Sequence, residues 1–322
     1  MKFKISPITA DASHRKFYRI IVNNKSKVII SAQKEKYKNL IAYTSINEFL
    51  RKNNILTPKL LRHNYSKGVI VIEDFGSSSF HKILSKKKNK FKTYKQLVDL
   101  LLKIQKIKPK TKIKSIIKKE HLVEKYSVKI LIKESNLFFD WYLPLVLNKK
   151  KALNIKRTSK KILSKIYKKL YYSNSCFVHR DYHVQNLMKV GKKVGVIDTQ
   201  DALIGNPTYD LVSLIDDVRI KNSEKLKRQI YDYYLKNANS AYKKKNNFFL
   251  HDFNILSVQR SLKILGIFSR LFKRDKKNKY LKLIPYVWQT LEARINYSIF
   301  SEFKKILDNN IKKEIRKKII KK

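Results

Sequence analysis

The sequence predicts an α+β chain with a small β-rich N-terminal lobe and a larger, mostly helical C-terminal lobe. Three observations predict it. Short β-branched and aromatic runs, separated by turn residues, fill the first 76 residues. Past Gly76 the apolar residues recur at helical spacing instead. A second β-type stretch at 176–198 interrupts the helices, and its two apolar runs each end in charged residues. The 322 residues can bury a large core and suffice for two lobes. A 43% hydrophobic content marks a folded protein and excludes a disordered basic one.

In the first lobe, Phe17–Val22 and Val28–Ile30 read as strands joined by the turn-prone Asn23-Asn24-Lys25-Ser26. Leu40, Ile41, Ile46, Phe49 and Leu50 place a helix over about 36–52, which Asn53-Asn54 ends. Thr57-Pro58 breaks the chain before a buried-type strand, Val69–Ile72, which runs into Glu73-Asp74-Phe75-Gly76 as a hinge. Beyond it, Ser77-Ser78-Ser79 reads as a helix entry, and Leu97, Leu100, Leu101, Ile104 and Ile107 as one helical face. Further helices are expected near 114–132, 136–147, 157–173, 208–218, 224–243, 252–272 and 279–308. A last amphipathic one, 311–320, carries Ile311, Ile315 and Ile319 on one face. Such a face suits a small core or an acidic membrane surface.

The formal net charge is +51. Charge of that size suits nucleic acid, anionic lipid or an anionic substrate. The lysines, however, are spread along the whole chain rather than gathered into a stripe, and Ile, Asn and Tyr are abundant beside them. That pattern reads as compositional drift, with no specific nucleic acid partner expected. No apolar run reaches the length of a membrane helix, and no apolar segment follows Met1, so a cytoplasmic protein is expected. The single cysteine, Cys176, excludes an internal disulfide framework and reads as a core residue.

The chemistry concentrates in FVHRDYHVQNLMKVGKKVGVIDTQDALIGNPTYDL, Phe177 to Leu211. Asp181 follows a buried strand, Asn186 comes five residues later, and Asp198 leaves the second strand of a β-turn-β. Phosphoryl transfer to a hydroxyl needs a carboxylate to orient the hydroxyl and take its proton, plus oxygen ligands for Mg²⁺. Asp181 suits the first part; Asn186 and Asp198 suit the second. Singly, each reads as a loop cap; together, at this spacing, they read as one site. His179, at a strand end, is expected to bond the backbone and shape the loop. His183 lies in the same loop, within reach of a phosphate. Asp210, at the start of an apolar helix, caps that helix or braces the loop.

HRDYHVQN followed by VIDTQDALIGNPTYDLVSL resembles the aminoglycoside phosphotransferase superfamily, which has the bilobal protein-kinase-like fold. Within it the chain is most similar to the bacterial anomeric sugar kinases that act on N-acetylmuramate and N-acetylglucosamine in cell-wall recycling. The resemblance extends to DASHRKFYR (Asp11–Arg19), IEDFG (Ile72–Gly76), LFFDWYLP (Leu137–Pro144) and QRSLKILGIFSRLFKRDKKNKYL (Gln259–Leu281). It implies a nucleotide-binding lobe at 1–76 and a catalytic and substrate lobe at 77–322. It implies ATP and Mg²⁺ as cofactors, Asp181 as the base, and Asn186 and Asp198 as metal ligands. Ser13 and neighbouring backbone would cover the phosphates, joined by Arg15 and His183, and main-chain groups from Glu73 to Phe75 would meet the adenine. Asp140, Trp141 and Tyr142 would wall the sugar site, with Arg260 or Arg270 toward a substrate carboxylate. The enzyme would be monomeric.

Two departures stand out. Val28–Ile30 lacks the lysine that this fold uses to pair with phosphate, leaving Arg15, Arg19, Lys34 or Lys36 to supply the charge and Glu48 to orient it. Thr199 stands after Asp198, where an aromatic is usual. Two other readings compete: a kinase of another small alcohol, aminoglycoside or choline-like, and a basic RNA- or lipid-binding protein on a decayed kinase fold. The intact Asp181, Asn186 and Asp198 argue against decay.

Overall fold

The computed structural model describes residues 3–8, 15–32, 38–115 and 120–318. Ser13, Lys34 and Lys36 lie outside the described residues. The chain opens with strands β1 (Phe3–Ile8), β2 (Lys16–Val22) and β3 (Lys25–Ser31), then helix α1 (Lys38–Lys52), β4 (Leu60–Asn64) and β5 (Val69–Glu73). Helices α2 (Phe80–Lys86) and α3 (Phe91–Lys106), and the short strands β6 (Lys112–Lys114) and β7 (Glu120–Leu122), follow. Next come α4 (Val128–Leu137), a π-helical turn (Phe138–Tyr142), α5 (Leu143–Val146) and α6 (Lys149–Tyr167). The central insert supplies β8 (Cys176–Val178), β9 (Leu187–Val190), β10 (Lys193–Val196) and β11 (Leu203–Gly205). The remainder is α7 (Tyr209–Ile215), α8 (Glu224–Asn237), α9 (Ser240–Lys244), α10 (Asn246–Lys273), α11 (Ile284–Ile295), α12 (Ser301–Asn310) and α13 (Lys313–Lys317).

Contacts divide the chain into two compact units. The first comprises Met1–Lys125, Ser175–Ile204 and Glu224–Tyr234; the second Tyr126–Asn174, Gly205–Ser223 and Leu235–Lys322. Gly76 falls inside the first.

The first unit is built on an antiparallel sheet in the order β1-β2-β3-β5-β4. Asn23 and Asn24, at φ 48° and 60°, form the two-residue turn between β2 and β3. Asparagine tolerates the left-handed region that such a hairpin turn demands. One face of β3 and β5, Val28, Ile30, Ile70 and Ile72, packs on Leu40 and Tyr43 of α1. Alternate residues point away, giving the period-2 burial of a half-buried strand. Pro7 is accommodated in β1 because β1 is a sheet edge.

One expected helix is wrong at its start. The span 114–132 instead contains the β6–β7 hairpin, pairing Lys112 with Leu122 and Lys114 with Glu120. Helix α4 begins only at Val128, where the Ser127 hydroxyl caps Ile130 N–H. In β6 the central Ile113 is buried between two exposed lysines, Lys112 and Lys114.

In the second unit α10 is the axis, buried on nearly every side. Gly266 lets α4 approach it: a Cβ there would stand 2.2 Å from the Leu137 carbonyl carbon. The π-helical turn has a local cause. Leu143 N–H bonds the Phe138 carbonyl five residues back, immediately before Pro144. Proline lacks an N–H and its ring crowds the carbonyl four residues earlier, so widening the turn relieves both defects. Tyr142 and Phe138 stack at 5.2 Å, and Trp288 Nε1 donates to Tyr142 Oη at 2.8 Å. At the chain's end Ile311 is buried, and buried Arg316 lies over Trp288 and pairs with Glu292. The expected last helix is thus only a five-residue turn laid on its own unit.

Candidate active site

The site's chemistry is held in the first unit by two crossed loops. Strand β8 is fully buried and delivers His179, which is buried as well. Asp181 N–H points at His179 Nδ1, 3.3 Å away, which leaves Nε2–H to donate to the Ile197 carbonyl at 3.0 Å. His179 is therefore the neutral Nε2–H tautomer, a strut between the loop of Asp181 and the strand end before Asp198. Arg180 adopts φ 70°, and its Nη1 donates to the Asp201 carbonyl at 3.1 Å.

The Asp181 carbonyl accepts from His183 N–H at 2.9 Å and from Asn186 Nδ2 at 3.1 Å. Asn186 N–H in turn donates to the His183 carbonyl at 2.9 Å. His183, itself buried, thus closes the loop through its main chain. In the β9–β10 hairpin Leu187 faces Val196, and Ile197 N–H continues the ladder to the Asn186 carbonyl at 3.0 Å. Ile197, the residue before Asp198, is thus the one bonded to Asn186. Asp198 sits at φ 64°, a costly conformation for a residue with a side chain. Such strain persists only where its surroundings fix it, and here they do. Thr199, the next residue, is wholly buried and donates to Asn47 Oδ1 at 2.7 Å. Asn47 itself donates to the Pro58 carbonyl at 3.3 Å and accepts through its own carbonyl from Thr57. A hydroxyl bonded to α1 stands where an aromatic was expected.

Asp198 Oδ1 accepts from Arg15 Nη2 at 3.2 Å and from Gln200 Nε2 at 3.0 Å. The Arg15 side chain is 6% exposed and the Asp198 side chain 39% exposed, so the pair is fixed from below and open on the carboxylate side. Of the other expected cations, Arg19 is engaged elsewhere, and Glu48, expected to orient the cation, pairs instead with Lys52 at 3.4 Å on the surface. Arg19 Nε and Nη2 clamp Asp74 at 2.5 and 2.9 Å, and Nη2 also donates to the Gly76 carbonyl at 2.9 Å. Ser26 Oγ and Gly76 N–H complete the carboxylate's partners. Burial alone would push the Asp74 carboxyl up, but Arg19, Ser26 and the Gly76 N–H together hold it below its ordinary value.

Residues 73–81 are tied to the loops. Glu73 Oε2 accepts from Lys59 N–H at 3.2 Å, with Arg51 Nη1 3.7 Å away. Phe75 is buried against β10: a Cβ on Gly195 would lie 2.6 Å from its ring. His81 N–H donates to the Val184 carbonyl and Lys189 N–H to the Ser78 carbonyl, at 2.9 and 2.8 Å. Segment 73–81 and the loop of Asp181 are thus one hydrogen-bonded assembly.

The donor set fits a hard divalent cation. Asn186 spends its amide nitrogen on the Asp181 carbonyl, which directs its oxygen to other work. An amide oxygen and a half-exposed carboxylate are the kinds of oxygen ligand that Mg²⁺ takes. Sequence reasoning missed the Asn47–Thr199 link and the Gly195–Phe75 contact. A glycine inside a strand is the signal that marks the second.

The remaining expected residues belong to the second unit. Asp140 lies exposed on the π-helical turn, its carboxylate 2.5 Å from Lys156 Nζ. Trp141, beside it, is half-buried. Arg260 is buried along α10, one turn before the Lys263–Glu134 ion pair at 3.1 Å. Gln259 Nε2 and the Tyr126 hydroxyl also donate to Glu134, a wholly internal network.

An N-terminal antiparallel sheet, a mostly helical remainder and a strand-loop-hairpin carrying Asp181, Asn186 and Asp198 define a phosphotransferase with an alcohol group as acceptor, on the protein-kinase-like fold. Residues 4–244 match the phosphotransferase enzyme family APH, and the chain belongs to that family. An N-acetylmuramate/N-acetylglucosamine kinase of Neisseria meningitidis serogroup B is 26% identical over 286 residues, 88% of this chain and 83% of that protein. One from Pseudomonas aeruginosa is 27% identical over 295 residues, 91% and 84% of the two chains. Among solved structures, a Plasmodium vivax ethanolamine kinase aligns with TM-score 0.62 at 12% identity, over 91% of this chain and 82% of that one. The ADP-bound aminoglycoside phosphotransferase APH(2'')-Ib aligns with TM-score 0.56 at 15% identity, over 92% and 94%. Those two likenesses concern the fold alone.

Proposed function

We propose that this chain is an ATP- and Mg²⁺-dependent kinase of an N-acetylated amino sugar, acting on the anomeric hydroxyl in cell-wall sugar recycling. One observation supports the phosphoryl-transfer reading: Asn186 is bonded to the main chain of Asp181, and its carbonyl accepts from Ile197, the residue before Asp198. The acceptor reading rests on the four relatives, each named an N-acetylmuramate/N-acetylglucosamine kinase and spanning 86–91% of this chain.

In this reading residues 1–76 form the nucleotide-binding lobe and 77–322 the catalytic and substrate lobe. The Asp181 carboxylate orients the sugar hydroxyl toward the phosphate and takes its proton. Its loop is held by His179 and Asn186, so the carboxylate needs little reorganisation at the moment of reaction. Asn186 and Asp198 hold Mg²⁺, which when bound neutralises charge on the transferring phosphate. Main-chain groups from Glu73 to Phe75 face the adenine, kept in place by the clamp of Arg19 on Asp74. Asp140, Trp141 and Arg260 contact the sugar. We assign the protein to the cytoplasm as a monomer; buried Cys176 suits a reducing compartment.

The test is incubation with Mg·ATP and N-acetylmuramate, N-acetylglucosamine, a simple hexose, an aminoglycoside or choline. Phosphorus NMR distinguishes a sugar 1-phosphate from a 6-phosphate. A 1-phosphate of an N-acetylated sugar is expected. Product only from choline or the aminoglycoside would overturn the acceptor and leave the phosphotransferase.

A further inference from the structure

We infer that Arg15 is a phosphate-binding cation of this chain, supplying charge that the core positions of β3 do not, and that it couples nucleotide to metal through Asp198. This rests on the reading of Asp198 as a metal ligand. The central inward positions of β3 are Val28 and Ile30, both buried in the apolar core, so neither supplies a cation. Arg19 is spent on the hinge: it makes two bonds to Asp74 and one to the Gly76 carbonyl. Arg15 instead precedes β2, lies 5.7 Å from the centre of the Phe17 ring, and reaches Asp198 with Nη2. Its side chain is 6% exposed, so its position is set by packing rather than by solvent-borne attraction. Asn47 bonds Thr199, fixing the other side of the same carboxylate's backbone.

The consequence follows from charge. A guanidinium and a divalent cation on one carboxylate repel each other, and the open side of Asp198 brings them within a few ångströms. Nucleotide phosphates give both cations an anion to share, and a guanidinium presents its fork to phosphate in a fixed geometry. Arg15 therefore opposes metal binding on its own and favours metal bound with nucleotide. A residue that merely braced the loop would act differently: its loss would weaken both.

Arg15→Ala, Arg15→Lys and Asp198→Asn separate these cases by direct binding. The probes are Mn²⁺ alone, followed by electron paramagnetic resonance, and ATP in EDTA, followed by calorimetry. Arg15→Ala is expected to weaken metal-free ATP by about 10- to 100-fold, the size of a hydrogen bond to a charged group. It is expected to tighten Mn²⁺ alone by roughly three- to tenfold, the loss of one like charge at high effective dielectric. Arg15→Lys should keep Mn²⁺ near the wild-type value while ATP weakens, since the charge stays and the fork goes. Unchanged ATP affinity in Arg15→Ala, or Mn²⁺ bound more weakly, overturns the inference. Should Arg15→Ala fail to fold by thermal melting, the Arg15→Lys pattern decides alone. Asp198→Asn tests the underlying reading separately: it should lose Mn²⁺, and Mn²⁺ binding that survives it overturns the metal assignment whatever Arg15 does.

Discussion

At the scale of single residues, the site's loops are fixed largely by side-chain bonds to the main chain. His179 spends both ring nitrogens on backbone, and Asn186 spends its amide nitrogen and both main-chain groups. The Asp181 side chain and the Asn186 oxygen carry the function in the proposed mechanism. Asp181→Asn removes the proton acceptor and Asp198→Asn removes metal charge, so each should lower kcat by about 10²-fold or more, with a smaller change in KM for the sugar. Steady-state kinetics on the identified acceptor checks this. Turnover of Asp181→Asn within a factor of a few of wild type would remove its assigned role. The β-turn-β that carries Asn186 and leads into Asp198 was legible in the sequence, because its apolar runs and turn glycine are local signals. The choice among Arg15, Arg19, Lys34 and Lys36 was not legible. It depends on which side chain the fold turns toward Asp198, and Arg19, four residues after Arg15, is diverted by Asp74.

At the scale of elements, short-range rules read well where one signal dominated. Asn23-Asn24 announced its hairpin, and the buried alternation of Val69–Glu73 announced its strand. They failed where signals competed. Residues 112–122 mix isoleucine with lysine, which fits a helix face as easily as a short hairpin, and only pairing across the turn decides. The edge strands β1 and β4 were passed over because Pro7 and the polar Arg62-His63-Asn64 look like loop; an edge strand tolerates both. Two element contacts yield predictions. Gly266→Ala places a methyl 2.2 Å from the Leu137 backbone, which cannot step aside as a side chain can. Separating α4 from α10 should cost about 1–3 kcal/mol, read as a lower denaturant midpoint. A midpoint equal to wild type would mean the helices do not meet there. The hinge clamp gives a pH signature. The Asp74 carboxyl is held low in the folded protein, so its contribution is present above the unfolded carboxylate range and is lost as pH falls through its folded value. The difference in Tm between wild type and Asp74→Asn should be full near neutrality and should shrink as pH falls below the ordinary carboxylate range. A difference constant from pH 7 to pH 3 would show that the ionised clamp does not stabilise the hinge.

At the scale of the whole molecule the dominant fact is a formal charge of +51 on 322 residues. Many lysines are exposed, as at Lys86–Lys88, Lys149–Lys151 and Lys243–Lys245, and the described ion pairs engage few of them. Like charges at such density repel within the compact state and less so in the expanded one, so the folded form bears the larger penalty. Salt shortens the reach of that repulsion from about 30 Å at 0.01 M to about 8 Å at 0.15 M. Raising sodium chloride across that range should therefore raise Tm by several degrees, the opposite of what a protein stabilised by surface ion pairs would show. The same screening weakens the long-range attraction of an anionic nucleotide, so its KM should rise in parallel while kcat holds. Calorimetry and kinetics on one salt series read both slopes. A Tm that falls with salt would mean that paired charges, not repelling ones, set the balance. A nucleotide KM that stays flat while Tm climbs would mean that the lysines shape stability alone, and that the local cation at Arg15, rather than the field of the whole chain, gathers the phosphates.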